Sequence, residues 1–322
     1  MKITPHHIRP ELRASGMLIK TIMPEFTEKQ LAAANKLHSF FSEGKCFSRK
    51  LDCEQIYIER TDGSMLRLCV YTPKRKLASC VGLLWMHGGG YALGLPEQDI
   101  RFIESFVEAA DCTVIAPDYR KSVDAPYPAA LEDCYTALLW MRDNCGKYGI
   151  RSDQLFVGGD SAGGGLAAAL SLYARDRGEV SIAFQMPLYP MIDDRMITAS
   201  SQDNDAPVWN STSNRLSWRL YLGDLYGYDD VPSYAAPSRA ADYSDLPPTL
   251  TYVGDIEPFY DETAEYISKL RKSGVKTAFK VFRGCYHAFD IMNPNSRAGK
   301  AAKEFLIRGF KYAVENFRKQ QP

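Results

Sequence analysis

The chain has 322 residues, 45% of them apolar and 24% charged, which is the make-up of one large globular domain or of a domain with a lid. Its 39 basic and 39 acidic side chains cancel, which argues against nucleic acid or an anionic membrane surface as a partner. No apolar run approaches the ~18 residues of a membrane span, and Met1-Lys-Ile-Thr-Pro-His-His7 lacks the apolar core of a secretory signal, so a cytoplasmic protein is expected.

The first 48 residues read as helical. From Pro24 to Phe41, apolar groups recur at helical spacing (Leu31, Leu37, Phe40, Phe41), and Thr27 with Gln30 has the form of a capping pair. Strands follow: Gln55–Arg60 and Met65–Pro73, joined by a turn at Asp62-Gly63, predict a hairpin. Cys80–Met86 is a fully apolar strand that runs into His87-Gly-Gly-Gly-Tyr91. A helix is predicted over Ile100–Ala110, a strand over Thr113–Pro117 and a helix over Pro128–Lys147. An apolar stretch at Leu155–Val157 then meets Gly159-Asp-Ser-Ala-Gly163, followed by a small-residue helix to Leu172. Further strands are predicted at 183–190, 249–253 and 277–282, with helices at 261–273 and 299–318. Strands alternating with helices imply an α/β fold, a mostly parallel sheet covered on both faces. The segment after Tyr189-Pro190 breaks this rhythm. It is rich in Ser, Asn, Asp and aromatic residues, including Trp209 and Trp218, and a stretch of that kind inside a sheet protein reads as a lid.

Gly-x-Ser-x-Gly between a strand and a helix is a steric motif. The serine sits on a strained turn, and glycine on either side lets strand and helix approach. The turn exposes the Ser161 hydroxyl and aims the free N–H groups of a helix start at the same spot. His87-Gly88-Gly89-Gly90, also at a strand end, supplies bare backbone. Gly88, Gly89 and Ala162 are the predicted oxyanion donors, with His87 and Gly90 shaping the loop. A base must follow. Of the five histidines, His6 and His7 lie in the terminal arm, His38 in the first helical region and His87 in the glycine loop. That leaves His287, in a loop after a late strand. Four carboxylates follow the strand ending at Val253. Asp261 and Glu262 read as first-turn helix residues, which leaves Asp255 and Glu257 as candidates for the acid. The eight cysteines (Cys46, Cys53, Cys69, Cys80, Cys112, Cys134, Cys145, Cys285) include no Cys-x-x-Cys pair. They read as reduced thiols, no metal site is expected, and no cofactor is implied.

His-Gly-Gly-Gly together with Gly-Asp-Ser-Ala-Gly resembles the hormone-sensitive-lipase-like esterases of the α/β-hydrolase superfamily. Tyr119-Arg120, Pro126–Asp133, Ser233–Arg239, Leu246-Pro-Pro and the closing Gly284-x-x-His-x-Phe289 extend the resemblance to most of the chain beyond the first helices. It implies an α/β-hydrolase fold with a helical cap: residues 1–48 as an N-terminal cap element, 49–190 and 236–322 as the catalytic body, and 191–235 as a cap insertion. It also implies a serine carboxylesterase acting on small-molecule esters with short acyl chains, acetyl to hexanoyl, and a family that often dimerises. The same triad serves amidases, formamidases and peptidases, and some relatives of such folds only bind ligands. The family usually has Asp-Pro-Leu-x-Asp-Glu at the acid. Aligning the proline and the Asp-Glu pair puts Glu257 in that slot and leaves Asp255 as the fallback. Asp160 matches the family motif and is expected to tie the turn to backbone N–H groups. Tyr127-Pro128 is a candidate cis bond.

Overall fold

A computed structural model describes residues 1–22, 27–75 and 79–322. Its centre is an eight-stranded sheet in the order β1-β2-β4-β3-β5-β6-β7-β8. The strands are β1 Leu51–Glu59, β2 Met65–Pro73, β3 Cys80–Met86, β4 Cys112–Pro117, β5 Ile150–Asp160, β6 Phe184–Leu188, β7 Thr249–Gly254 and β8 Thr277–Phe282. β1–β2 and β2–β4 pair antiparallel and every other neighbour pairs parallel. The predicted α/β class and the hairpin are therefore observed.

β3, β4, β6 and β7 are buried along their whole length because helices cover both faces. Leu155 and Val157 of β5 face one layer, with α4 Ala129–Asp143 and α5 Ala162–Arg177. Phe156 faces the other, with α3 Ile100–Ala110 and the C-terminal helix Arg297–Asn316. Alternation along one strand thus divides the core in two. α7 Tyr260–Lys272 adds a third cluster, in which Tyr266, Ile267 and Leu270 pack on Ala168 and Leu172 of α5. The Tyr127–Pro128 bond ahead of α4 is cis, as expected.

Three elements differ from the sequence reading. α4 stops at Asp143, short of the predicted Lys147, because the chain turns back into the sheet with Ile150 N donating to Cys145 O at 2.8 Å. β5 starts five residues before the apolar run, since Cys80 already pairs with Ile150. The segment after β6 contains α6 Ser211–Leu222, capped by Asn210, whose side chain accepts from Ser213 N at 2.9 Å. The buried stripe of α6 is Ser211, Asn214, Ser217, Trp218, Tyr221 and Leu222, and its three small polar members conceal its period.

The N-terminal arm holds α1 Arg13–Ile22 and α2 Glu28–Ser42. Thr27 and Gln30 form the capping box read from the sequence. Residues 23–26 of the helical reading lie outside the described residues. Among the described residues no helix is long and apolar enough to cross a membrane.

Candidate active site

β5 ends at Asp160, and Ser161 follows with φ 56° and ψ −119°, a strained conformation for a residue with a side chain. Three backbone bonds hold it there. Ser161 N donates to Leu188 O at 3.0 Å, and Ser161 O accepts from Gly165 N at 2.9 Å and Met191 N at 3.1 Å. Crowding explains the flanking glycines. A Cβ on Gly159 would stand 2.4 Å from Met86 O, and one on Gly163 2.0 Å from the same atom. The end of β3 is therefore pressed against the turn, which brings the His87–Gly90 loop beside Ser161.

His287 reaches the serine from the loop after β8. Its Nε2 lies 2.9 Å from Ser161 Oγ, and its Nδ1 contacts Glu257 Oε2. A carboxylate at Nδ1 keeps the proton on that nitrogen, so Nε2 is free to accept from the hydroxyl. Glu257 is fully buried, and its other oxygen accepts from Gly254 N at 2.8 Å. Tyr189 and Phe259 meet the imidazole edge-on, each with its ring centre 5.0 Å away. Asp255 faces elsewhere and accepts from Gly284 N at 2.6 Å. Of the two carboxylates left open by the sequence, the one at the imidazole is Glu257. Asp261 and Glu262 lie in the first turn of α7, where they also accept from Ser200 N at 2.7 Å and Ile192 N at 2.9 Å.

The glycine loop is propped from behind. His87 is buried, which pushes its imidazole down to about 3 and keeps it neutral. Its Nδ1–H donates to Gly88 O at 2.8 Å, and Gln98 Nε2 donates to the same oxygen at 3.2 Å. Tyr119 stacks on the ring at 4.3 Å and donates to His87 O at 2.7 Å. Gly89 has φ 124°, and a Cβ there would stand 2.2 Å from Leu93 O. No acceptor for the N–H of Gly88 or Gly89 is found among the described residues. Ala162, first in α5, has no earlier turn to bond to. These amides are available to an anionic oxygen.

Asp160 differs from its expected role. Among the described residues no backbone N–H reaches its carboxyl, and Oδ1 has no partner. Burial, reinforced by the neighbouring Asp99, raises it well above the ordinary carboxylate range. Burial also raises Asp99, which accepts from Trp85 Nε1 at 2.8 Å, to about 6. Asp290, which accepts from Tyr252 OH at 2.6 Å, is likewise raised by burial to about 6. Two adjacent buried carboxyls share protons rather than both ionising, so Asp160 packs against Gly88 without carrying a full charge.

A cavity of ≈ 480 Å³ opens above Ser161 and His287. Its wall is mainly apolar, with Leu93, Val208, Trp209, Ile291 and Met292, and α1 contributes Ile19 and Lys20. Trp209 thus lines the cavity, whereas Trp218 is fully buried against Tyr91. Gln98, Asp99, Tyr189, Phe259 and Asp290 were not found by sequence reasoning. Phe259 lies two residues after Glu257 and Asp290 three after His287, while the other three are remote in sequence from the selected triad. Among the described residues no group of His, Cys, Asp and Glu has the geometry of a metal site.

Comparison with known families matches residues 83–291 to the family described as alpha/beta hydrolase fold. The chain belongs to this family. Several of its relatives are named as esterases or carboxylesterases. Esterase LipI of Mycobacterium tuberculosis is 32% identical over 60% of either chain, and the arylesterase of Saccharolobus solfataricus is 30% identical over 70% of this chain and 72% of that one. Among solved structures, a bacterial heroin esterase aligns with a TM-score of 0.87 at 31% identity, covering 97% of this chain and 99% of that one.

Proposed function

We propose that this α/β-hydrolase is a serine carboxylesterase that cleaves short-chain acyl esters, acetyl to hexanoyl, through an acyl-enzyme. Carboxylic-ester hydrolysis is the activity of the chain. The observation that supports this mechanism is the continuous line from Glu257 through His287 to Ser161, beside unpaired loop amides. Ser161 Oγ attacks the ester carbonyl carbon while His287 Nε2 takes its proton. The N–H groups of Gly88, Gly89 and Ala162 receive the developing oxyanion. The imidazolium, stabilised by Glu257, returns the proton to the departing alkoxide. Water then enters by the same route and releases the acid. Residues 1–48 and 191–235 act as the cap over the body of 49–190 and 236–322. In support of this, Ile19, Trp209 and Ser213 all border the cavity. Cleft size favours small acids, since ≈ 480 Å³ must hold both halves of the ester. The eight free thiols suit a reducing, cytoplasmic setting.

A series of para-nitrophenyl esters of rising acyl length tests both parts. The highest kcat/KM is expected between acetyl and hexanoyl, and Ser161→Ala should lose activity by on the order of 10^6-fold. A maximum at long acyl chains would reject the chain-length proposal alone. Near-normal turnover by Ser161→Ala would reject the nucleophile.

A further inference from the structure

Cys80, Cys112, Cys134, Cys145 and Cys285 are buried in the body, and burial pushes each thiol up. Cys46, Cys53 and Cys69 are arranged differently. The β1–β2 register pairs Cys53 with Tyr71 and Gln55 with Cys69, so Cys53 and Cys69 share one face of the hairpin, a diagonal step apart. The chain leaving α2 crosses this face. Gln55 Nε2 donates to Gly44 O at 3.2 Å, and Gly44 N donates to Glu97 Oε1 at 2.8 Å. The crossing lays residues 44–46 along β1, with Gly44 at Gln55 and Cys46 Sγ 4.0 Å from Leu51 O, and Cys53 stands between Leu51 and Gln55 on the same face of the strand. Cys69 is sealed beneath, its Sγ 3.3 Å from Arg67 Nη1 and 3.8 Å from Glu97 Oε1. Cys46 is exposed and Cys53 half-buried. The Cys69 thiol beside it draws Cys53 below the ordinary thiol range, while burial pushes Cys46 up. A lowered, reachable thiol next to an exposed partner is how redox-sensing pairs are built.

We propose that Cys53 and Cys46 form a peroxide-sensitive dithiol that closes to a disulfide. The Cys53 thiolate attacks one oxygen of hydrogen peroxide and the O–O bond breaks. Hydroxide leaves and takes up the proton lost by Cys53, giving water and a sulfenic acid. The Cys46 thiol then attacks the oxidised sulfur. An S–S bond forms, the S–O bond breaks, and the departing oxygen leaves as a second water with the Cys46 proton. One peroxide is reduced to two waters as two thiols become one disulfide. The link ties the end of α2 to β1. α2 in turn grips the glycine loop, because Asn35 Nδ2 donates to Ala92 O at 2.7 Å and its Oδ1 accepts from Gly94 N at 3.2 Å. Oxidation therefore fastens the N-terminal arm at its junction with the sheet.

Trypsin cuts at Arg49 and Lys50, so the disulfide joins peptides 46–49 and 51–60. Full-length protein is treated with hydrogen peroxide, blocked with N-ethylmaleimide and digested without reductant. The linked pair is expected two hydrogens lighter than the sum of its parts, and dithiothreitol should separate it. Cys46→Ser and Cys53→Ser should each abolish the pair. Cys69→Ala, checked for an intact melting transition, should retain it. A Cys53–Cys69 link would overturn the proposal, as would Cys53 ending as a sulfinic acid with Cys46 still free to alkylate. An equal yield from urea-unfolded protein would also overturn it, because closeness in sequence rather than the fold would then explain the link.

Discussion

The turn after β5 and the N-terminal arm border the same cavity, yet they are built in opposite ways. At the turn every neighbour is buried, and backbone presses on backbone so closely that Gly159 and Gly163 leave no room for a methyl group. On α2 only Leu31 is buried, while Leu37, Phe40 and Phe41 are 60%, 77% and 58% exposed. The arm is held by a few specific bonds, such as those of Asn35, rather than by a packed core. The contrast separates two tasks. Positioning atoms to within tenths of an ångström needs a crowded, over-determined backbone, whereas covering a pocket needs only a few well-placed contacts. Substitutions at the turn and its partners should therefore act on catalysis, and those in the arm on local stability.

After removal of the nucleophile itself, the largest effect is expected from Glu257→Gln. The amide cannot hold the Nδ1–H tautomer as a carboxylate does, and kcat should fall by on the order of 10^4-fold with little change in melting temperature. Asp255→Asn weakens only the bond to Gly284 N and should cost less than about tenfold. Steady-state kinetics on a short-chain ester decides between them, and the reverse order would transfer the acid role to Asp255.

These two carboxylates also show how far the sequence could be read. Ser161 and its glycines were legible because the rule behind them is local: a strained turn between strand and helix demands small neighbours. His287 followed by exclusion. Between Asp255 and Glu257 the residues themselves gave no choice, since both follow the same strand, and only the resemblance favoured Glu257. Asp99 and Asp290 left no trace, because their contact with the site exists only after α3, β5 and the loop after β8 are packed together. The thiol group was hidden for the same reason. Cys46, Cys53 and Cys69 look scattered until the hairpin register and the exit of α2 converge. α6 was missed because half of its inward stripe is polar: Ser211, Asn214 and Ser217.

Next in size is Gly89→Ala. The added methyl would meet Leu93 O at 2.2 Å, at a φ of 124° that alanine avoids, so the loop must shift. If its amides receive the oxyanion, kcat should drop by about 10^2- to 10^3-fold while KM changes little. An unchanged kcat would remove this loop from the mechanism.

Asp290→Asn is a smaller, pH-dependent probe of the packed region. Burial raises the folded pKa of Asp290 from 3.8 to about 6, so the folded state holds a proton that the unfolded chain has lost. Its contribution is fully present below the unfolded value and disappears as pH rises through about 6. Asparagine cannot ionise, and its oxygen can still accept from Tyr252 OH. Across that window the variant should gain on the wild type by at most about 3 kcal/mol. Urea unfolding at a series of pH values reads this directly, and a parallel pair of stability curves would show that Asp290 does not titrate there.

The weakest expected effect lies in the arm. Thr27 accepts from Gln30 N, and Gln30 Oε1 accepts from Thr27 N at 2.8 Å, so each side chain satisfies a donor that the first turn of α2 leaves free. Thr27→Ala removes half of this exchange and should cost about 1 kcal/mol, felt by α2. Because α2 contributes little buried surface, that cost should appear as faster amide exchange in residues 28–34 rather than as a lower global melting point. Turnover of a short ester should stay within about twofold, since nothing that touches Ser161 has moved. A fall in kcat comparable to that of Gly89→Ala would mean that the arm, through Asn35 and its hold on Ala92 and Gly94, helps to set the geometry of the glycine loop. The division between a rigid turn and a loosely held cover would then have to be redrawn with α2 on the rigid side.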